Sequence, residues 1–190
     1  MAEDNSHILK TKTARVFFAI KPDDAALKQL SHLAKQLASS CGGQNTKQVN
    51  IHLTLVFLGE IAIDRLDALR AAAKCVTATT FNLSFDEIRH WKHNQIIYAG
   101  MSKCAPELLA LVGNLRNTLS TSGFPFDSRA FKPHITLVRK AKSVQMLPEL
   151  VAPVSWRVAD WFLIQSKQTG HGIKYTSLDC WILNQSSSQT

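Results

Sequence analysis

The sequence has no apolar run near the ~20 residues that a membrane-spanning helix requires. Its longer runs, such as the one over residues 16–20, are far shorter. Residues 1–20 also lack the apolar segment of a secretory signal, so a cytoplasmic protein is expected. Cysteine is scarce and scattered. The four residues Cys41, Cys75, Cys104 and Cys180 form no C-x-x-C pair and lie far from one another. That spacing argues against a zinc ribbon or a disulfide framework and predicts four reduced thiols. Acidic residues are in deficit, 14 against 22 Lys and Arg, which leaves a formal charge of +8. No block of five like charges occurs, so the excess is spread over folded segments and is not gathered in a tail.

What remains is ordinary globular material, 45% hydrophobic and 19% charged over 190 residues. A chain of this length buries roughly 70% of its unfolded surface and needs neither metal nor disulfide to fold. The basic excess favours a polyanionic partner, although basic charge alone is a weak signal.

Residues 15–20 read as a strand. Pro22-Asp23-Asp24 then suits a helix start, and Leu27, Leu30, Ala34 and Leu37 keep helical spacing, so a helix is predicted over 22–39. A strand follows over 51–58, then a helix marked by Leu66, Leu69, Ala73 and Val76. Phe81, Leu83, Phe85 and Ile88 suggest one strand and residues 95–100 another. Pro106 opens a helix carrying Leu108, Leu111, Val112, Leu115 and Leu119. A loop over 124–132 leads into a strand over 134–138. A short helix is expected over 144–150. Two long strands, 156–166 and 174–183, complete the pattern, with Gly170-His171-Gly172 as the loop between them. Residues 1–13 and 185–190 are expected to be flexible termini flanking a single domain over 14–184.

The order strand–helix–strand occurs twice at similar intervals, which prompts a search for a repeat. His52-Leu53-Thr54-Leu55 and His134-Ile135-Thr136-Leu137 emerge, each in a strand that follows a helix. On a strand, residues i and i+2 share a face about 6.6 Å apart. Each copy therefore presents an imidazole beside a hydroxyl on one face and anchors apolar residues in the other. A single His-x-Thr signifies only a half-exposed strand; two in matching positions are far less expected by chance. Related by a pseudo-twofold, they would set two imidazoles and two hydroxyls around one centre.

That set suits a phosphodiester. One neutral imidazole can accept a proton from the entering oxygen, and one imidazolium can protonate the leaving oxygen. The hydroxyls of Thr54 and Thr136 can donate to the non-bridging oxygens. Arg139, at the end of the second strand, supplies a forked cation for phosphate. No metal and no cofactor is required. His90 and His93 flank Trp91 without a recognised metal spacing, and His32 reads as a surface residue. Phe17 is divided between the core and a base-stacking position in the cleft. Trp156 and Trp161 read as core.

The sequence resembles the two-histidine (2H) phosphoesterases, and within them the RNA 2′,3′-cyclic phosphodiesterases, historically called 2′-5′ RNA ligases. The resemblance rests on Arg15-Val-Phe-Phe-Ala-Ile20, on residues 50–60, and on Arg129-Ala-Phe-Lys-Pro-His-Ile-Thr-Leu-Val-Arg139. It runs over roughly residues 15–183 and is weakest at 91–94 and 144–155. It implies a bilobal, duplicated α+β fold, with antiparallel sheets lining a central cleft and helices packed outside. It implies catalytic roles for His52, Thr54, His134 and Thr136, with Arg139 on the phosphate. His52 would protonate the leaving 3′ oxygen and His134 would activate water. The implied reaction opens 2′,3′-cyclic phosphate RNA ends to a 2′-phosphate, and its reverse is 2′-5′ ligation. A monomer acting on RNA is expected. The competing expectations are a cyclic phosphodiesterase for a small nucleotide and a non-catalytic RNA-binding module.

Overall fold

Strands alternate their side chains and helices repeat theirs, so one apolar layer can sit between a sheet and three helices. The computed structural model describes residues 12–144, 146–170 and 172–185. In chain order it contains β1 (Thr13–Ile20), α1 (Asp24–Cys41), β2 (Gln44–Asn45), β3 (Leu53–Ala62), α2 (Leu66–Lys74), β4 (Phe81–Phe85), β5 (Glu87–Trp91) and β6 (Ile96–Gly100). These are followed by α3 (Pro106–Thr121), β7 (Ile135–Arg139), β8 (Val154–Val158), β9 (Asp160–Thr169) and β10 (Gly172–Ile182).

The first helix begins and ends where its local chemistry requires. The Asp23 carboxylate accepts the Ala26 N–H at 2.8 Å, satisfying one of the orphan donors of the first turn. Gly42 closes the helix in the left-handed region (φ 66°), and its N–H bonds Ala38 O at 3.0 Å. Leu30, Ala34 and Leu37 are buried, as their spacing predicts. In α3 the five predicted core positions Leu108, Leu111, Val112, Leu115 and Leu119 are all buried.

Seven strands run in the order β10-β9-β1-β3-β7-β6-β5, with β2 added to β7, and every ladder is antiparallel. The fold is thus α+β, with an open sheet. The sheets expected for two lobes are halves of one sheet. They meet between β3 and β7 at the pair Leu53–Ile135. Both residues are fully buried, so this joint belongs to the core.

Two predicted strands prove to be broken. The stretch from Phe81 to Ile88 divides into β4 and β5, and that expected over 156–166 divides into β8 and β9. β4 and β8 pair only with each other, as a separate ribbon. Both chains then pass into the main sheet. Trp156 and Trp161, either side of the second break, are both buried, as expected.

The short helix expected over 144–150 does not form in the described residues of that stretch. Pro148 lies inside it, where it lacks an N–H and disfavours helical backbone in the preceding residue. Thr13, expected to be flexible, starts β1, and its hydroxyl donates to Glu60 Oε2 at 2.8 Å. Residues 1–11 and 186–190 of the expected flexible termini, and His171 of the β9–β10 loop, lie outside the described residues.

The four cysteines are free. No helix among the described residues is long and apolar enough to cross a membrane.

Candidate active site

The Leu53–Ile135 pair determines where the two motifs meet. In an antiparallel pair the residues flanking the paired positions face one another crosswise, so His52 lies toward Thr136 and Thr54 toward His134. Strand spacing and rise place the two histidine Cα atoms about 8 Å apart on one face. All four residues line a single cleft of about 990 Å³, together with Arg139. The five residues singled out in the sequence are therefore brought together without exception. His32 is exposed, and His90 and His93 do not line the cleft.

The duplication extends to the ring hydrogen bonds. His52 Nδ1–H donates to Asn50 O at 2.8 Å, and His134 Nδ1–H donates to Lys132 O at 2.7 Å. Each bond joins an imidazole to the carbonyl two residues before it. It fixes the tautomer, so that the neutral ring keeps its lone pair on Nε2. Thr54 Oγ1 lies 3.1 Å from His52 Nε2 and donates to it while the ring is neutral.

Each histidine is also held between two aromatic rings. Phe17 and Tyr175 lie 4.9 and 5.1 Å from His52 between ring centroids. Trp91 and Tyr98 lie 4.6 and 5.7 Å from His134. Phe17 thus faces the cleft and is buried in the same position. It belongs to a small second apolar cluster with Ala19 and Ile164 on the face opposite the main core. Apart from Phe17, whose place the sequence left open, the aromatic neighbours were not found in it. The tyrosines carry a weak signal, since the chain has only two and each lies against one motif histidine.

The surroundings make both rings reluctant cations. Burial is the main cause at His52, where it lowers the pKa from 6.5 to about 4. The positive charges of Arg139, His134 and Lys21 act in the same direction, against the bond to Asn50 O. His134 is lowered also, again by burial first and then by Arg139. An anion between the rings would reverse these fields, because it favours the charged form of each.

The cleft offers two Nε2 atoms, two hydroxyls and an exposed guanidinium around one point. Among the described residues, no group of three or more His, Cys, Asp or Glu side chains is placed to hold a metal. Such a set can transfer protons on both sides of a phosphorus atom. The family model described as the 2′-5′ RNA ligase superfamily matches residues 14–170. The chain belongs to that superfamily. It is 30% identical over 171 residues to the RNA 2′,3′-cyclic phosphodiesterase of Escherichia coli K12, covering 90% of this chain and 97% of that protein. It is 27% identical over 173 residues to the protein of the same name from Archaeoglobus fulgidus, covering 86% and 97%. The crystal structure of E. coli LigT complexed with 3′-AMP superposes with a TM-score of 0.84 at 30% identity, covering 92% of this chain and all of that one.

Proposed function

We propose that this protein hydrolyses 2′,3′-cyclic phosphate ends of RNA to 2′-phosphates, without a metal. Its catalytic groups are His52, Thr54, His134 and Thr136, and Arg139 binds the phosphate. The observation that carries the reading is the matched anchoring of the two imidazoles. Each is tied through Nδ1 to a carbonyl two residues upstream, and both line the cleft that holds Arg139. The names of the E. coli and A. fulgidus relatives support the same chemistry.

In the hydrolytic direction His134 Nε2 takes a proton from water, whose oxygen attacks phosphorus in line with the 3′ oxygen. The P–O3′ bond breaks, and His52 gives its Nε2 proton to the departing oxygen. The products are a 2′-phosphate monoester and a 3′-hydroxyl. Arg139 and the threonine hydroxyls hold the non-bridging oxygens, where negative charge accumulates. Burial favours the neutral His52 ring, and the phosphate of a bound substrate would offset burial and the field of Arg139, so that the ring takes up from solvent the proton it then donates. Protonation also removes the acceptor lone pair of Nε2. The Thr54 hydroxyl is then free to turn from the ring to the phosphate.

The reverse reaction joins a cyclic phosphate to a 5′-hydroxyl through a 2′-5′ bond and uses the same groups, by microscopic reversibility. The single bilobal domain over 14–184 is read as sufficient for this chemistry as a monomer, since one chain supplies both motifs and the arginine.

The test is incubation of cyclic-phosphate-ended RNA with EDTA-treated protein, with identification of the product isomer. A 2′-phosphate formed at undiminished rate supports the reading. Activity that vanishes in chelator and returns with zinc or manganese would replace it with a metal hydrolase. Tight RNA binding without turnover would leave a binding module.

A further inference from the structure

The cleft wall beside Arg139 carries charge that the reaction at phosphorus does not use. β7 ends at Arg139, and Lys140 follows it with φ 55°. This is the left-handed region, which costs a residue with a Cβ roughly 1 kcal/mol or more. In a continuing strand, residues 139 and 140 would point to opposite faces. Here both line the cleft. The turn is held from two sides. Ala141 N–H donates to Gln95 O at 3.0 Å and Lys142 N–H to Cys41 O at 2.9 Å.

β2 is seated against the same end of β7, where Gln44 pairs Arg139 and Asn45 pairs Val138. The approach requires glycine at residue 43. A Cβ there would lie 2.5 Å from Val138 Cγ1 and 2.8 Å from Arg139 O. The segment then delivers Thr46 and Lys47 to the cleft. Thr46 N–H donates to Leu137 O at 2.7 Å, while its Oγ1 is buried with no hydrogen-bond partner. Lys47, Arg139 and Lys140 thus share one wall, and none of them forms an ion pair among the described residues.

We propose that Lys47 and Lys140 form a second phosphate subsite. It binds the phosphodiester on the 5′ side of the terminal nucleotide. The proposal rests on the hydrolase reading above for its direction: a cyclic phosphate closes the 3′ end, so the chain can continue only on the 5′ side. Arg139 serves the reacting phosphate. Lys140, whose Cα is 3.8 Å further along the chain, is turned to the same opening and serves the next one. The substrate class is then an RNA end of at least two nucleotides, and a cyclic mononucleotide leaves the subsite empty.

The experiment is a binding cycle with product-type ligands. One ligand is a dinucleotide ending in a 2′-phosphate. The other is the same dinucleotide with an uncharged methylphosphonate linkage. Each is titrated into the wild-type protein and into the double variant Lys47→Gln, Lys140→Gln. Neutralising the linkage should weaken wild-type binding about tenfold, the scale of one charge-assisted contact, and should not affect the double variant. The wild-type preference should also decline with salt. Equal affinity of the wild-type protein for the two ligands would overturn the subsite, as would a preference that survives in the double variant. Turnover of a cyclic-ended dinucleotide is measured in parallel. If there is none while the binding cycle behaves as expected, the subsite stands and the hydrolase reading falls.

Discussion

His52 and His134 present the same nitrogen to the cleft, because each Nδ1 is held by the carbonyl two residues before it, Asn50 and Lys132. The main-chain bond does for each ring what a carboxylate does in a catalytic triad: it fixes the tautomer and the direction of Nε2. It does so without adding a negative charge that would hold both rings protonated. In the proposed reaction the pair starts in opposite protonation states, which that neutrality suits.

His52→Ala and His134→Ala should each reduce turnover by about 10²–10⁴-fold, the usual range for a lost acid or base. Both variants should stay folded, since the side chains face the cleft while Leu53 and Ile135 beside them hold the core. Circular dichroism and a kinetic assay on cyclic-phosphate-ended RNA check this together. Near-wild-type turnover in either folded variant would remove the two-histidine mechanism.

The depressed pKa of His52 also predicts a dependence of stability on pH. The folded chain refuses a proton at His52 until about pH 4, whereas the unfolded chain takes it near 6.5. The stabilisation is therefore fully present above pH 6.5 and is lost as pH falls through that window. At pH 5 the loss is about 2 kcal/mol. Denaturant melts at pH 7.5 and pH 5 should show His52→Gln losing less stability than the wild type by that order. Equal losses in the two proteins would mean that His52 is not held neutral by its burial.

Much of the site was legible because its signal is local and repeated. His-x-Thr places two side chains on one face whatever the rest of the fold does, and the second copy made the first informative. The helix cores were legible for a similar reason, since Leu108 to Leu119 keep one period throughout. What escaped notice depends on contacts distant in sequence. Tyr175 meets His52 across the sheet, and Trp91 meets His134 from a neighbouring hairpin. The apolar run of β1 leaves the place of Phe17 open, and the structure divides the strand, with Val16, Phe18 and Ile20 in the main core and Phe17 and Ala19 on the cleft side. The breaks at Asp86 and Ala159 coincide with a one-residue slip in the alternation, from Phe81, Leu83 and Phe85 to Ile88 and from Val154, Trp156 and Val158 to Trp161 and Leu163, a signal too short to tell a change of partner from a bulge in one strand.

Arg139→Lys should impair catalysis, because a point charge does not reproduce a planar fork against two phosphate oxygens. The loss should be smaller than that from either histidine variant, since the acid and base remain. Comparison of kcat and KM for Arg139→Lys and Arg139→Ala reads the effect. If Arg139→Ala leaves both constants intact, the residue is only a cation at the end of a strand.

Gly43→Ala should disturb the same arginine from a distance. The added Cβ has nowhere to go between Val138 Cγ1 and Arg139 O, so β2 must lift from the end of β7. Overpacking of this kind costs about 1–3 kcal/mol. The melting temperature should fall, and KM should rise as Arg139 loses its neighbouring strand. A variant with wild-type stability and KM would show that β2 accommodates the methyl group without moving β7.

The last prediction separates the acid from the base. One ring must start neutral and the other protonated, so kcat/KM, which reports the free enzyme, should be bell-shaped, with limbs that belong to the coupled pair. Those limbs do not say which ring does what. A substrate whose 3′ leaving group needs no proton does. On it, loss of the acid should matter little, while loss of the base remains severe. With His52 as acid, His52→Ala should recover most of its deficit on the activated substrate, and His134→Ala should not. The reverse pattern would exchange the roles, with His52, whose pKa burial lowers, as the base. Equal damage in both variants would mean that neither ring acts as a simple acid on the leaving oxygen, and that charge stabilisation by Arg139 and the threonines carries that half of the reaction.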